Sequence, residues 1–229
     1  MKINRSLART AREAANYNVI KRIIVILISS LLVLSSVVYL VSALYSRYGS
    51  FTVSIAKEQD TTRLLSLCDD DQFLYPTSKL SIKLSEDITN ISKDDLPGYL
   101  DSKNGSYNGD NFLAYTFYLK NAGTSTVTYE YAMLISQVTQ DVDEAARIRL
   151  YHNGEYVDYA KVGADGEPEP ETVKFLKEDF VTQKWVDSFA PEDIHRFTVV
   201  LWLEGNDPEC VDDIIGGQMK IGMTFKIIS

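Results

Sequence analysis

Histidine, cysteine and tryptophan are scarce in this chain, with two of each in 229 residues, and their scarcity removes whole classes of chemistry. His152 and His195 are the only imidazoles, and no H-E-x-x-H, G-x-S-x-G or P-loop pattern occurs. The usual zinc-peptidase, serine-hydrolase and nucleotide-hydrolysing designs are therefore out of reach. The expectation is a non-enzymatic protein with no cofactor. His152 ends a strand before a turn and His195 opens one, so both read as partly exposed imidazoles on different elements. Cys68 and Cys210 cannot make a zinc site without help from His or carboxylate. If they pair, the cross-link closes about 140 residues and contributes on the order of 4 to 5 kcal/mol; that pairing is expected, with two free thiols as the alternative.

Charge is missing altogether from Ile23 to Ser46, an apolar run of 24 residues. As a helix rising about 1.5 Å per residue it is long enough to cross a bilayer. Its flanks differ sharply. Residues 1–22 carry six Lys+Arg against the single acid Glu13, whereas the chain from Phe51 onward carries 16 Lys+Arg against 31 Asp+Glu. Positive flanks stay in the cytoplasm, so the expected organisation is a basic cytoplasmic tail over 1–22, a transmembrane signal-anchor over 23–46 and an extracellular domain over 51–229. Val41-Ser42-Ala43 has the small-residue pattern of a signal-peptidase site, which leaves secretion after cleavage near Ala43 as the alternative.

The exterior part alternates apolar and polar residues with period two, the mark of half-buried strands. Phe51, Val53 and Ile55 share one face, as do Leu80, Ile82 and Leu84. Leu113 to Leu119 follow the same rule within 112–120, Val127 to Ile135 within 126–138, and Met219 to Ile227 at the end. The Asn121–Thr124 link carries turn residues and predicts that 112–120 and 126–138 pair as neighbours. Asn153-Gly154 predicts a hairpin, and Phe197 to Leu203, nearly all apolar, a central strand covered on both faces. Helix is scarce: 141–146 suits a single turn, and 171–185 reads as either helix or strand. Residues 86–111 read as a long surface loop, and Gly216-Gly217 as a bend before the last strand. The expected fold class is all-β, an antiparallel β-sandwich with one N-terminal transmembrane helix.

Acidic residues gather at Asp69-Asp70-Asp71, at Asp165 to Glu169, and at Glu204 and Asp207 with Asp212 and Asp213 close behind. None of these has EF-hand spacing. Glu204, Asp207, Asp212 and Asp213 are candidate cation ligands should they converge in space. The acidity of the exterior part argues against nucleic acid as a partner, because phosphates demand Lys and Arg.

The C-terminal run WLEGNDPECVDDIIGGQMKIGMTFKI, with FTVVLWLEG before it and AYTFYLKNAGTSTVTYEYAM further upstream, resembles the biofilm-matrix protein TasA and camelysin of Gram-positive bacteria. The resemblance covers about residues 35–229. It implies a jelly-roll-like sandwich, export through the general secretion route and assembly into surface fibres. The peptidase activity described for camelysin relatives is not carried over, since no residue matches a zinc-peptidase motif.

Two functions remain open. The first is a surface structural or assembly protein, anchored or exported through its apolar segment, in which Phe51, Val53 and Ile55 form a donor strand that completes a neighbour's sheet; deleting 51–56 would then leave a folded, unpaired monomer. The second is a monomeric anchored module that binds a small ligand or cation through the 86–111 loop or the acidic turns.

Overall fold

The computed structural model describes residues 3–46, 49–57, 64–84 and 88–228. It divides into two units, one ending at Arg47 and one beginning at Tyr48. The first is a single helix, α1 (Ile3–Ser46). Within it, Val19–Val41 is long and apolar enough to cross a membrane, with a mean hydropathy of 2.7 and none of it buried. The apolar window thus opens ahead of Ile23 and takes in Lys21 and Arg22, whose long side chains can snorkel towards an interface.

The second unit holds twelve strands: β1 (Gly49–Ile55), β2 (Leu65–Cys68), β3 (Lys79–Leu84), β4 (Gly105–Ser106), β5 (Phe112–Asn121), β6 (Val127–Thr139), β7 (Ala146–His152), β8 (Glu155–Ala160), β9 (Val173–Lys174), β10 (Phe180–Phe189), β11 (Ile194–Leu203) and β12 (Gln218–Ile227). One sheet runs in the order β10-β6-β12-β1-β3. The other runs β2-β5-β11-β7-β8-β9, with β4 added to β5. Alternate residues of both sheets meet in one core, where Phe117 stacks on Phe197 at 5.5 Å and Phe225 meets both edge-on. The all-β sandwich with an N-terminal apolar helix is the observed class. Two pairings, β1–β12 and β8–β9, are parallel and break the antiparallel pattern that the sequence suggests.

One pairing differs from expectation. β5 and β6 are not neighbours; they lie in different sheets, and the link between them crosses the sandwich. Asn121 explains the crossing. Its fully buried side chain donates to the carbonyls of Ser125 and Phe189 at 2.9 and 2.8 Å and accepts from Gly123 N at 2.9 Å, so polar groups at the corner are satisfied as the chain leaves one sheet for the other. The Asn153-Gly154 hairpin forms as expected between β7 and β8, with φ of 53° and 92°. The ambiguous 171–185 stretch becomes β9 and the first half of β10.

The 86–111 stretch is more than a surface loop. Leu100 from it packs with Phe112, Ala114, Tyr151, Val200 and Trp202 on the outer face of the β5-β11-β7 sheet, joined at the margin by Ile91, Leu96 and Tyr107. This cover is why Phe197 to Leu203 carries apolar residues on both faces. Trp202, 1% exposed, finds its lid here.

The candidate donor strand lies inside its own sheet. β1 pairs in parallel with β12 and antiparallel with β3, and Phe51, Val53 and Ile55 are buried. Removing 51–56 would strip three side chains from the core and unpair β12 and β3, a cost set against the folded monomer expected of that deletion.

Candidate functional site

The most developed site lies on the outer face of the second sheet, at the end where β7 begins. Arg147, second residue of β7, faces Trp202 of β11 across the ladder. Arg147 is buried, 3% exposed, in a strand that also buries Arg149 against Asp158 at 2.6 Å. Such a cation must be paired to be tolerated. It donates to Glu169 at 3.0 Å and to Asp207, whose carboxylate is itself buried.

Three chain segments bring the carboxylates to it. The 163–172 turn, in which Gly166 adopts φ 82° and Gly163 N donates to Glu167 O, aims Glu169 inwards. The turn after β11 supplies Glu204, Asp207 and Glu209. Asp207 accepts from Glu209 N at 2.8 Å, and Glu209 accepts from Ala164 N at 2.9 Å, which ties the two turns together. From the 86–111 segment comes Lys93. Its backbone N–H donates to Glu204 Oε2 at 3.0 Å, the oxygen that also accepts from Trp202 Nε1 at 3.1 Å, and its ammonium pairs with Glu171.

Between these segments lies a cavity of about 680 Å³, lined among the described residues by eight carboxylate residues against Lys93 and Arg147. Acceptor oxygens of Glu169, Asp207 and Glu209 lie within 4.8 Å of one another. Burial pushes the Asp207 carboxyl up to about 6, partly opposed by Arg147, while Glu209, hydrogen-bonded by Asp207, is lowered. Such a group sits poised near neutral pH.

Of the four candidate ligands read from the sequence, Glu204 and Asp207 line this cavity. Asp212 and Asp213 do not: they stand exposed in a short 3-10 helix, 212–214, so two of the four candidates meet at the cavity. Glu169 and Arg147 were missing from that set. The available signal for Arg147 was the alternation of two cations with apolar residues in ARIRLYH; Arg149 pairs with Asp158 of β8, and Arg147 needs acids of its own.

The proposed disulfide does not form. Both cysteines are free. Cys68 is buried beside Tyr118 and donates to Asp70 Oδ2 at 2.9 Å, whereas Cys210 packs near Val142, Ala145 and Ile214 and accepts from Asn90 Nδ2 at 3.4 Å. Asp70 also accepts from Gln72 N and Leu74 N, so that acidic run is a turn-forming one. Burial and the Asp70 contact push the Cys68 thiol up.

The two histidines, read as separate, are adjacent. His152 at the end of β7 and His195 in β11 turn towards the core, with His152 Nε2 3.2 Å from His195 Nδ1. The buried Tyr129 hydroxyl from β6 lies 2.7 Å from His195 Nδ1 and 3.4 Å from His152 Nε2. Burial, then His195 and Lys184, hold His152 down at about 4; burial also lowers His195, against Asp193.

Comparison with known proteins adds little to this geometry. No protein-family model matches the chain. Nor does any curated protein. Among solved structures, a β-glucosidase from Kluyveromyces marxianus is similar at TM-score 0.25 and 12% identity, over 76% of this chain and 18% of the enzyme. A GH31 α-xylosidase from Xanthomonas citri is similar at TM-score 0.26 and 14% identity, over 76% and 19%. The chain spans less than a fifth of either enzyme, and likeness this weak carries no argument about fold or activity.

Proposed function

We propose that the chain is a membrane-tethered, non-enzymatic binding module whose exterior β-sandwich takes a small cationic ligand or a metal cation into the acidic cavity at Arg147. The supporting observation is the meeting of the 86–111 segment with both acidic turns around one cavity of about 680 Å³. That volume falls in the range of ordinary ligand sites. The excess of carboxylates favours a positively charged guest, and the sheet behind it keeps the walls rigid. No histidine or cysteine lines the cavity, and the Glu169, Glu171, Glu204, Asp207 and Glu209 carboxylates are engaged by Arg147, Lys93 and backbone N–H groups, an arrangement suited to holding rather than to nucleophilic attack. The excess of Lys and Arg over residues 1–22 supports an exterior position for this unit, and the length and apolarity of Val19–Val41 support attachment through it.

A thermal melt of the full chain in detergent, with Ca²⁺ or spermidine against EDTA, tests the reading. A guest that binds only the folded protein raises the midpoint with concentration, and Glu169→Gln should abolish the rise. A midpoint indifferent to every cation would sink the proposal.

A second reading, surface assembly of the kind the TasA resemblance implies, draws support from β1. It is the first strand after α1, and its sheet would stand open at β12 and β3 without it. Exchange between copies would preserve the Ser54–Thr224 register. In a Cys68→Ser/Cys210→Ser background, Ser54→Cys with Thr224→Cys should then form disulfides between chains. Disulfides solely within the chain would refute exchange.

A further inference from the structure

We propose that His152, His195 and Tyr129 form a binding site for a divalent transition metal that prefers imidazole, Zn²⁺ or Cu²⁺. Three donor atoms converge from three strands in two sheets: His152 Nε2 from β7, His195 Nδ1 from β11 and the Tyr129 hydroxyl oxygen from β6. Their separations are 2.7, 3.2 and 3.4 Å. A tetrahedral ion with bonds of about 2.0 to 2.1 Å spaces its ligand atoms about 3.3 Å apart. The triangle therefore matches one face of such a coordination shell after sub-ångström adjustment.

The rings are pre-oriented by packing. His152 lies flat on Phe197, with centroids 4.6 Å apart and planes 7° from parallel, and His195 packs on Phe189 at 4.5 Å. Pre-set donors lose little freedom on binding. Both histidines are half-buried, and the fourth ligand of a tetrahedral ion would be a water molecule. Among neighbouring charges, Lys184 opposes a dication and Asp193 favours it.

This site lies away from the acidic cavity. β7 carries both, with Arg147 near its start on the outer face and His152 at its end on the inner face. Loss of one site therefore predicts nothing about the other.

The full chain in detergent at neutral pH, titrated with Zn²⁺ by calorimetry and with Cu²⁺ by electron paramagnetic resonance, tests the proposal. One ion should bind per chain at this site, identified by hyperfine structure from two nitrogens in the copper spectrum, which an ion held by the carboxylates of the acidic cavity would lack. His195→Gln should weaken binding by at least about tenfold and halve that nitrogen count. His152→Phe keeps the stack on Phe197, stays folded and should do the same. Tyr129→Phe, which removes one oxygen, should weaken binding by a smaller factor. Glu169→Gln, in the acidic cavity, should leave the two-nitrogen copper signal unchanged. The proposal is overturned if the wild-type chain shows no two-nitrogen copper signal at about 0.1 mM, or if that signal survives both histidine substitutions, or if Glu169→Gln alone removes it.

Discussion

At the start of β7 the sandwich buries full charges; five residues later, roughly 17 Å along the strand, it buries titratable groups that stay neutral. Arg147 is tolerated because Asp207 and Glu169 meet it. His152 and His195 are tolerated because their pKa values fall instead. Both devices solve one problem, the high cost of an unpaired charge in an apolar setting. They differ in what breaks them. The first fails when a partner is removed, the second when acid forces a proton onto a ring.

The largest effect should therefore come from Arg147→Met. It leaves Asp207 and Glu169 facing each other without a cation, and breaking a buried ion pair in this way costs about 3 to 5 kcal/mol. Urea unfolding monitored by tryptophan fluorescence would register the loss. Adding Asp207→Asn to Arg147→Met should recover part of it, since the stranded charge is then gone. A cost below about 1 kcal/mol for the single variant would mean that solvent already shares this pair.

Acid separates the two ends next, because their signs oppose. His152 is depressed in the folded state, to about 4 from an ordinary 6.5, so its contribution is full above pH 6.5 and is lost as pH falls through 4. Asp207 is raised, to about 6 from 3.8; its contribution is full below 3.8 and is lost as pH rises through 6. Stability of the wild-type protein followed from pH 7 to 4 should show the histidine loss partly offset by the Asp207 gain. His152→Phe should remove the loss, worth roughly 1 to 2 kcal/mol after allowance for solvent at the half-buried ring. Asp207→Asn should remove the gain, on the order of 1 kcal/mol. If the two variants show the same pH profile, the contrast between the ends is wrong.

Strand positions were readable from alternation alone, since Phe51, Leu113, Val127 and Met219 each begin a period-two face that the structure buries or half-buries. Partners were not. The Asn121–Thr124 link has turn residues whether it joins neighbours or crosses between sheets, and only the buried bonds of Asn121 distinguish the cases. The acidic turns were visible as composition, yet their meeting at Arg147 depends on a cation that reads, in sequence, as one more residue of a strand. Histidine adjacency was hidden for the same reason: 43 residues separate two positions that the β7–β11 register sets almost opposite, His152 beside Phe197. Period two reports which face a residue occupies, and long-range register reports whom it meets there.

The smallest effect concerns the cysteines, and it sharpens the comparison by testing whether a covalent staple shares the load with the two polar clusters. A bond closing about 140 residues would contribute on the order of 4 to 5 kcal/mol, as much as the Arg147 pairing. Cys68 instead bonds Asp70 and Cys210 meets Asn90. Dithiothreitol should accordingly shift the melting midpoint by less than about 1 °C, and thiol titration of the denatured chain should count both sulfurs. A fall of several degrees under reduction would restore the cross-link and reassign to it the stability credited here to packing and ion pairing.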